Sequence, residues 1–279
     1  MRHAIVVFTK VPKAGETKTR LTVERGGILT AEEAQEFYQA SLLDVVDSCI
    51  SAGCCDMYIC HNRGGDTQYL LQLLKSLPGF ASIKGIFSDE GDTFDKGMQY
   101  AADYILKGGQ AGRYADSVFI IGGDSPCLQA ATVRDAVKKL EQLAACPQAL
   151  ECANACDAKA AGIGAALVES ADQEGGFNLI GFTCTTPFDF NGVFYNPNGV
   201  MALDMIAYKA GEYNIPLNVV DMVIDVDLPA DLASLIPIIN TLKLVERFDS
   251  TVVAPKRTVR FLEDMGLVAT ALPPKPGAE

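Results

Sequence analysis

The chain has 279 residues, 49% of them apolar and 21% charged, a balance that excludes a disordered polypeptide and suits one large domain with a sizeable core. Twenty-three Lys and Arg against 35 Asp and Glu give a formal charge of −12, which excludes non-specific nucleic-acid binding through phosphate contacts. No apolar run reaches the length of a bilayer span, and residues 1–9 lead into a strand without the basic and apolar regions of a signal peptide, so a cytoplasmic protein with no membrane span is expected.

In chain order, Ala4–Thr9 is a continuous apolar run, the pattern of a strand covered on both faces. A loop bearing Pro12 and Gly15 follows it. Thr30 and Glu33 then form a capping-box pattern ahead of a long amphipathic helix carrying Ala34, Phe37, Tyr38, Leu42 and Val45. Met57–Cys60 reads as a strand, Asp66–Leu77 as a helix, Ile83–Phe87 as a strand and Thr93–Leu106 as a helix. "SVFIIGGDSP" is a buried strand ending on Gly122, Gly123 and Asp124, and a helix opens near Thr132 and runs to about Ala145.

Residues Cys146–Ala161 lack periodicity and read as a connection. Ile163–Val168 and Phe177–Gly181 return to strand character, Gly199–Tyr208 to helix, Leu217–Val226 to extended chain and Pro229–Asn240 to helix. This alternation predicts a three-layer α/β/α fold around a mostly parallel, Rossmann-like sheet. A single domain over residues 1–248 is expected, followed by an extension over 249–279 whose Pro-rich end, "LPPKPGAE", reads as disordered.

The cysteines number nine and lack a secretory signal, so reduced thiols are expected. Cys146, Cys152 and Cys156 lie close together, but their spacing matches no usual zinc pattern and no His is near. His3 and His61 are the only histidines and each borders a strand, which favours structural roles over catalysis.

In open α/β sheets, ligands bind outside the carboxyl ends of the strands, so the loops there are read first for chemistry. After the first strand, Gly15 permits a turn and Lys18, Thr19 and Arg20 follow. Cations and backbone N–H groups at that place suit a phosphate chain, and a solvated basic loop fits the same spacing. The glycine and lysine spacing is not that of a Walker loop. In "GGDSP", Asp124 beside Gly123 suits a divalent metal on a diphosphate, or else starts the next helix.

In "VIDVDLPADL", Asp225 and Asp227 alternate with Val226 in a strand and so share one face of the sheet. One of them can join Asp124 on a metal while the other caps or hydrogen-bonds. In "ADQEGGFNLIG", Gly175 and Gly176 allow an acceptor to approach the backbone with Glu174 nearby, and paired glycines equally make a plain hairpin turn. Cations early and carboxylates late make the arrangement that binds a nucleoside di- or triphosphate through one Mg²⁺ or Mn²⁺.

The ordered phrases "FTKVPKAGETKTRL", "GDTFDKGM", "GGDSP", "EGGFNLIG" and "DVDLPADL" resemble bacterial glycosyltransferase-like proteins of the nucleotide-diphospho-sugar transferase superfamily. That superfamily has the GT-A type fold and is related to the guanylyltransferases of cofactor F420 and molybdopterin synthesis. The resemblance implies phosphate contacts from Lys18 and Arg20, metal binding by Asp124 and Asp227, and a nucleotide-facing segment holding Asp92 and Gly97. It implies an acceptor region at Gly175, Gly176 and Phe177. The chain departs from the family at Glu174, usually Asp, and at Phe177, usually Tyr; it also has no Trp, and "FYNPNGV" occupies the region where the family carries one.

The leading expectation is a metal-dependent transferase moving a glycosyl group from a nucleotide sugar to a small acceptor, with Glu174 as the candidate base. The alternative is nucleotidyl transfer from an NTP to a phosphorylated small acceptor with release of pyrophosphate. A third reading is a nucleotide-binding protein without turnover.

Overall fold

A computed structural model describes residues 1–108, 112–154 and 160–270. Cys156 and the Pro-rich end lie outside the described residues, so the reading of that end as disordered and of the cysteine trio concerns residues not described.

The central strand is β1 (His3–Thr9). Its alternation sends Ile5 and Val7 into one core and Ala4 and Val6 into the other, which is why the sequence is apolar without interruption. Parallel partners flank it: β2 (Asp56–His61) on one side and β4 (Ser117–Gly122) on the other. Strand β3 (Ile83–Ser88) adds to β2 in parallel. Beyond β4 stand β6 (Phe177–Thr183), antiparallel to both neighbours, then β5 (Leu167–Ala171) and the short β7 (Leu217–Val219). The order is β3-β2-β1-β4-β6-β5-β7.

One face of the sheet is covered by α1 (Ala31–Ala52), α2 (Thr67–Leu74) and α4 (Ala130–Ala144), the other by α3 (Phe94–Leu106) and α6 (Ala202–Glu212). The three-layer expectation holds. The Thr30–Glu33 capping box is formed, and Asp66 and Thr93 cap α2 and α3.

Several boundaries differ from the sequence reading, among them the helix read over Gly199–Tyr208, which spans Ala202–Glu212, and that read over Asp66–Leu77, which ends at Leu74. Strand β5 starts at Leu167 rather than Ile163, because Gly164 and Ala165 donate their N–H groups to the carbonyls of Ala144 and Ala149 instead of to a strand. The Ala149 carbonyl belongs to α5 (Pro147–Cys152), a short helix inside the expected connection. After Val219 the chain leaves the ladder and is tied by side chains: Ser170 donates to the Asp221 carbonyl at 2.7 Å, and Asn178 donates to that of Val223. Helix α7 (Pro229–Val245) runs past Asn240 with Pro237 inside it.

Residues 256–264, placed in the extension by sequence, form α8 (Lys256–Asp264). Asp44 of α1 accepts from the Arg257 and Thr258 N–H groups and from the Thr258 hydroxyl, which satisfies orphan donors at the start of α8. Phe261 packs on Phe37 with ring centroids 5.6 Å apart, closing a third core that also holds Val226 and Leu232. Among the described residues no helix is long and apolar enough to cross a membrane.

The chain runs from β1 outward through β2 and β3, then crosses to the far side of β1 to form β4. The reversal opens a crevice beyond the carboxyl ends of β1 and β4, the place where open α/β sheets take ligands.

Candidate functional site

The loop after β1 turns at Gly15, whose φ of 75° lies in the left-handed region open to glycine. Lys18 adopts the same region at φ 50°, which for a residue with a Cβ costs roughly 1–2 kcal/mol. The conformation turns its side chain inward, leaving it only 6% exposed. There the ammonium sits 3.0 Å from Asp124 Oδ2 and 2.5 Å from Asp227 Oδ1, with the Tyr38 ring centroid 5.6 Å away. Burial alone would lower the Lys18 pKa, but the carboxylates of Asp124 and Asp227 outweigh it and hold the amine charged, well above its ordinary range. Arg20 is exposed and reaches Asp227 Oδ2 at 3.4 Å.

Asp124 is fixed from behind. Ser41 donates to the Gly123 carbonyl at 3.0 Å, and Gly123 has no room for a side chain: a Cβ there would lie 2.8 Å from Leu42 and 3.2 Å from the hydroxyls of Thr9 and Tyr38. Those two hydroxyls are joined at 2.7 Å, and burial pushes the Tyr38 phenol up to about 12, so it stays neutral. The Val226 N–H donates to the Asp124 carbonyl at 3.2 Å, which brings the segment before α7 alongside β4.

Sequence reasoning left the cap of that helix to Asp225 or Asp227. The structure gives it to Asp231, which accepts from the N–H groups of Asp227 and Leu228 at 3.1 and 2.7 Å. Both earlier acids are thereby free to face Asp124. One carboxylate oxygen from each of Asp124, Asp225 and Asp227 lies within 4.8 Å of the other two. Asp225 Oδ1 is buried without a hydrogen-bond partner, and burial together with the charges of Asp124 and Asp227 raises its pKa to about 7. Lys18 draws Asp227 the other way: although burial opposes it, the ammonium holds this carboxyl below its ordinary value. Hard oxygen donors in excess over cations, one of them orphaned, fit a divalent ion such as Mg²⁺ or Mn²⁺.

These groups lie along a cleft of about 1430 Å³. Of the residues singled out by sequence, Lys18, Thr19, Arg20, Asp92, Gly97, Asp124, Glu174, Gly175, Gly176, Phe177, Asp225 and Asp227 all line it, Gly123 packs behind it, and Gly15 turns the loop outside it. Only Lys18, Arg20 and the three Asp of the cluster meet one another. Asp92 is exposed and paired with Lys96 at 2.8 Å. Gly97 is buried in the first turns of α3, where a Cβ would crowd Phe8 at 3.2 Å.

Glu174 is exposed on its turn, and its N–H donates to Asp172 Oδ1 at 2.7 Å. Asp172 also accepts from the Gly176 N–H at 2.8 Å and holds the turn in shape. Sequence reasoning passed over Asp172, although an Asp two and four residues ahead of free N–H groups is the mark of an Asx turn. Tyr38 of α1 and Lys10 of the loop after β1 line the cleft as well. Lys13 is exposed and pairs with Glu16.

A family model described as "Uncharacterized protein conserved in bacteria (DUF2064)" matches residues 45–197, just over half of the chain. The chain belongs to the DUF2064 family. The match takes in β2, β4, the GGDSP turn and the loop at Gly175 and Gly176, and stops short of the β1 loop and the Asp225–Asp227 segment. A search of curated proteins gave no match.

Among solved structures, a protein from Desulfovibrio desulfuricans assigned as a nucleotide-diphospho-sugar transferase aligns with a TM-score of 0.66 at 19% identity, covering 95% of this chain and 98% of the other. A cytidylyltransferase from Leptospira borgpetersenii aligns with a TM-score of 0.52 at 9% identity, covering 95% of each chain. At these identities the likeness is one of fold. This DUF2064 chain has the α/β fold of the nucleotide-diphospho-sugar transferases, as the resemblance of its motifs implied.

Proposed function

We propose that this DUF2064 protein is a metal-dependent transferase that moves a glycosyl group from a nucleotide-diphosphate sugar to a small acceptor. The observation that carries the reading is the junction of Lys18 with Asp124 and Asp227 beyond the ends of β1 and β4, with Asp225 orphaned beside it. A buried, permanently charged ammonium next to a cluster rich in carboxylates is half of a diphosphate site; a divalent ion is the other half.

Asp124, Asp225 and Asp227 would hold that ion, which when bound supplies positive charge to phosphate oxygens. Lys18 and Arg20 would grip the diphosphate and stabilise charge growing on it as it leaves. The acceptor oxygen bonds to the anomeric carbon, the bond from that carbon to the diphosphate breaks with its electron pair on the diphosphate, and the hydroxyl proton passes to the acidic turn. Glu174 was the sequence candidate for that base; Asp172, beside it on the same turn, shares the role in this reading.

Nucleotidyl transfer is the second reading, favoured by the cations Lys10, Lys18, Arg20 and Arg63 along one end of the cleft. Incubation with nucleoside triphosphates and with nucleotide sugars, each with Mn²⁺, separates the two. Release of free nucleoside diphosphate from a nucleotide sugar supports glycosyl transfer; pyrophosphate from a triphosphate supports the second reading.

A further inference from the structure

The cations that line the cleft come from few segments. Its cationic side chains, Lys10, Lys18, Arg20 and Arg63, come from the loops after β1 and β2. A further part of its lining comes from residues 172–202, beginning at a turn where Gln173 donates to the Asp225 carbonyl at 3.0 Å, and the sequence has no Lys, Arg or His anywhere from Ala160 to Tyr208. The first cation beyond that stretch, Lys209, is paired with Asp189 at 2.7 Å.

What this segment presents is aromatic and acidic. Phe194 packs edge-on against Phe94 at 4.5 Å and against Phe177 at 5.3 Å, and Tyr195 beside it is 78% exposed. The loop that carries them is held firmly: Asp95 of α3 accepts from the Gly192 and Phe194 N–H groups at 2.8 and 3.0 Å, and the Asn196 side chain closes on the Val200 backbone in both directions. Asp172 and Glu174 line the same cleft on their glycine turn, which lies against Met201. The start of α6 offers no substitute for a cation, because Leu203 N–H is taken by the Gly175 carbonyl at 3.2 Å and Asp204 places a negative charge in the first turn.

We infer that the acceptor end of this cleft takes a neutral, hydroxyl-bearing molecule with an apolar face, the chemistry of a sugar ring, and rejects phosphorylated acceptors. Rigid aromatic faces suit the C–H side of such a ring, and carboxylates accept from its hydroxyls. A phosphate there would meet the acids of this segment with no cation from the same segment to offset them, a cost that grows in a partly desolvated cleft. The inference rests on the transferase reading and narrows it, since a phosphorylated acceptor is what nucleotidyl transfer requires.

The test uses saturation-transfer NMR on the full-length protein with methyl β-glucoside and with glucose 6-phosphate as probes, on the wild type and on Tyr195→Ala. Tyr195 is exposed, so its removal leaves the core intact. Transfer to methyl β-glucoside that falls roughly tenfold in Tyr195→Ala, with none to glucose 6-phosphate, is the expected result. Equal or stronger transfer to glucose 6-phosphate, no transfer to methyl β-glucoside, or a signal indifferent to Tyr195→Ala overturns the inference. Binding of Mn²⁺ with nucleoside diphosphates, measured on the same samples by calorimetry, reports on the donor site separately, so failure of one reading is not mistaken for failure of the other.

Discussion

The Lys18 ammonium and the Asp124 carboxylate are 106 residues apart in sequence and 3.0 Å apart in space. This contact joins the loop after β1 to the end of β4 across the point where the strand order reverses. It also sets a competition, because Lys18 stands among the carboxylates that suit a divalent ion.

Replacing Lys18 by Ala should therefore act in two directions. Mn²⁺ alone should bind more tightly, since the ammonium no longer neutralises Asp124 and Asp227, while Mn²⁺ with a nucleoside diphosphate should bind more weakly, since one phosphate contact is gone. Stability should fall by on the order of 1–3 kcal/mol, below the loss expected for a fully buried pair, because both carboxylates keep some contact with water. Calorimetry and thermal unfolding check all three. Weaker binding of Mn²⁺ alone would show that Lys18 does not compete for the site.

Glu169 gives a pH dependence remote from the cluster. It lies on β5, is 3% exposed, has an oxygen without a partner, and burial raises its pKa to about 7. The folded chain thus keeps a proton that the unfolded chain releases above its ordinary value of 4.5. The sign follows: this group costs nothing below that value, and stability is lost as pH rises towards 7. Glu169→Gln should match the wild type near about pH 4.5 and exceed it by on the order of 2 kcal/mol near about pH 8.5. Denaturant unfolding at the two pH values checks this, and an equal difference at both contradicts it.

Asp44 should prove essential to the C-terminal part of the fold. Its carboxylate accepts from Thr258 N–H and hydroxyl at 2.8 and 2.9 Å, and from the Arg257 guanidinium at 3.1 Å. Asp44→Ala removes the acceptor for several buried donors at once, at about 2–4 kcal/mol. Because α8 covers the core that holds Val226, the residue between Asp225 and Asp227, the same variant should weaken Mn²⁺ binding. Hydrogen exchange should show α8 opening. Unchanged exchange there would mean that α8 docks through Phe261 rather than through Asp44.

The core of the fold was legible because its signals are local. An unbroken apolar run gave β1, and Thr30 with Glu33 gave the start of α1. Asp124 was legible because it stands beside Gly123 at the end of a buried strand, where a charged side chain has few structural reasons to be, and Lys18 because it follows Gly15 in the loop after β1. Asp225 and Asp227 were not separable, because their freedom depends on Asp231 taking the helix cap, which alternation along the chain does not reveal. Helix α8 escaped notice because its few apolar positions, Val259, Phe261 and Leu262, lie among charges, and the acid that caps it is more than two hundred residues earlier. The anchoring of the Phe194–Tyr195 loop escaped in the same way: Asp95, which pins it, lies 99 residues before Phe194.

The central claim is that Asp124, Asp225 and Asp227 together hold a divalent ion against a nucleoside diphosphate. It is tested most directly by calorimetry of Mn²⁺ with GDP, UDP, CDP and ADP on the wild type and on the single Asp→Asn variants. At least one nucleotide should bind the wild type only when Mn²⁺ is present, and Asp124→Asn and Asp225→Asn should each weaken that binding by roughly tenfold or more. Unchanged affinity in Asp124→Asn, or no Mn²⁺-dependent binding of any of the four, would contradict the account.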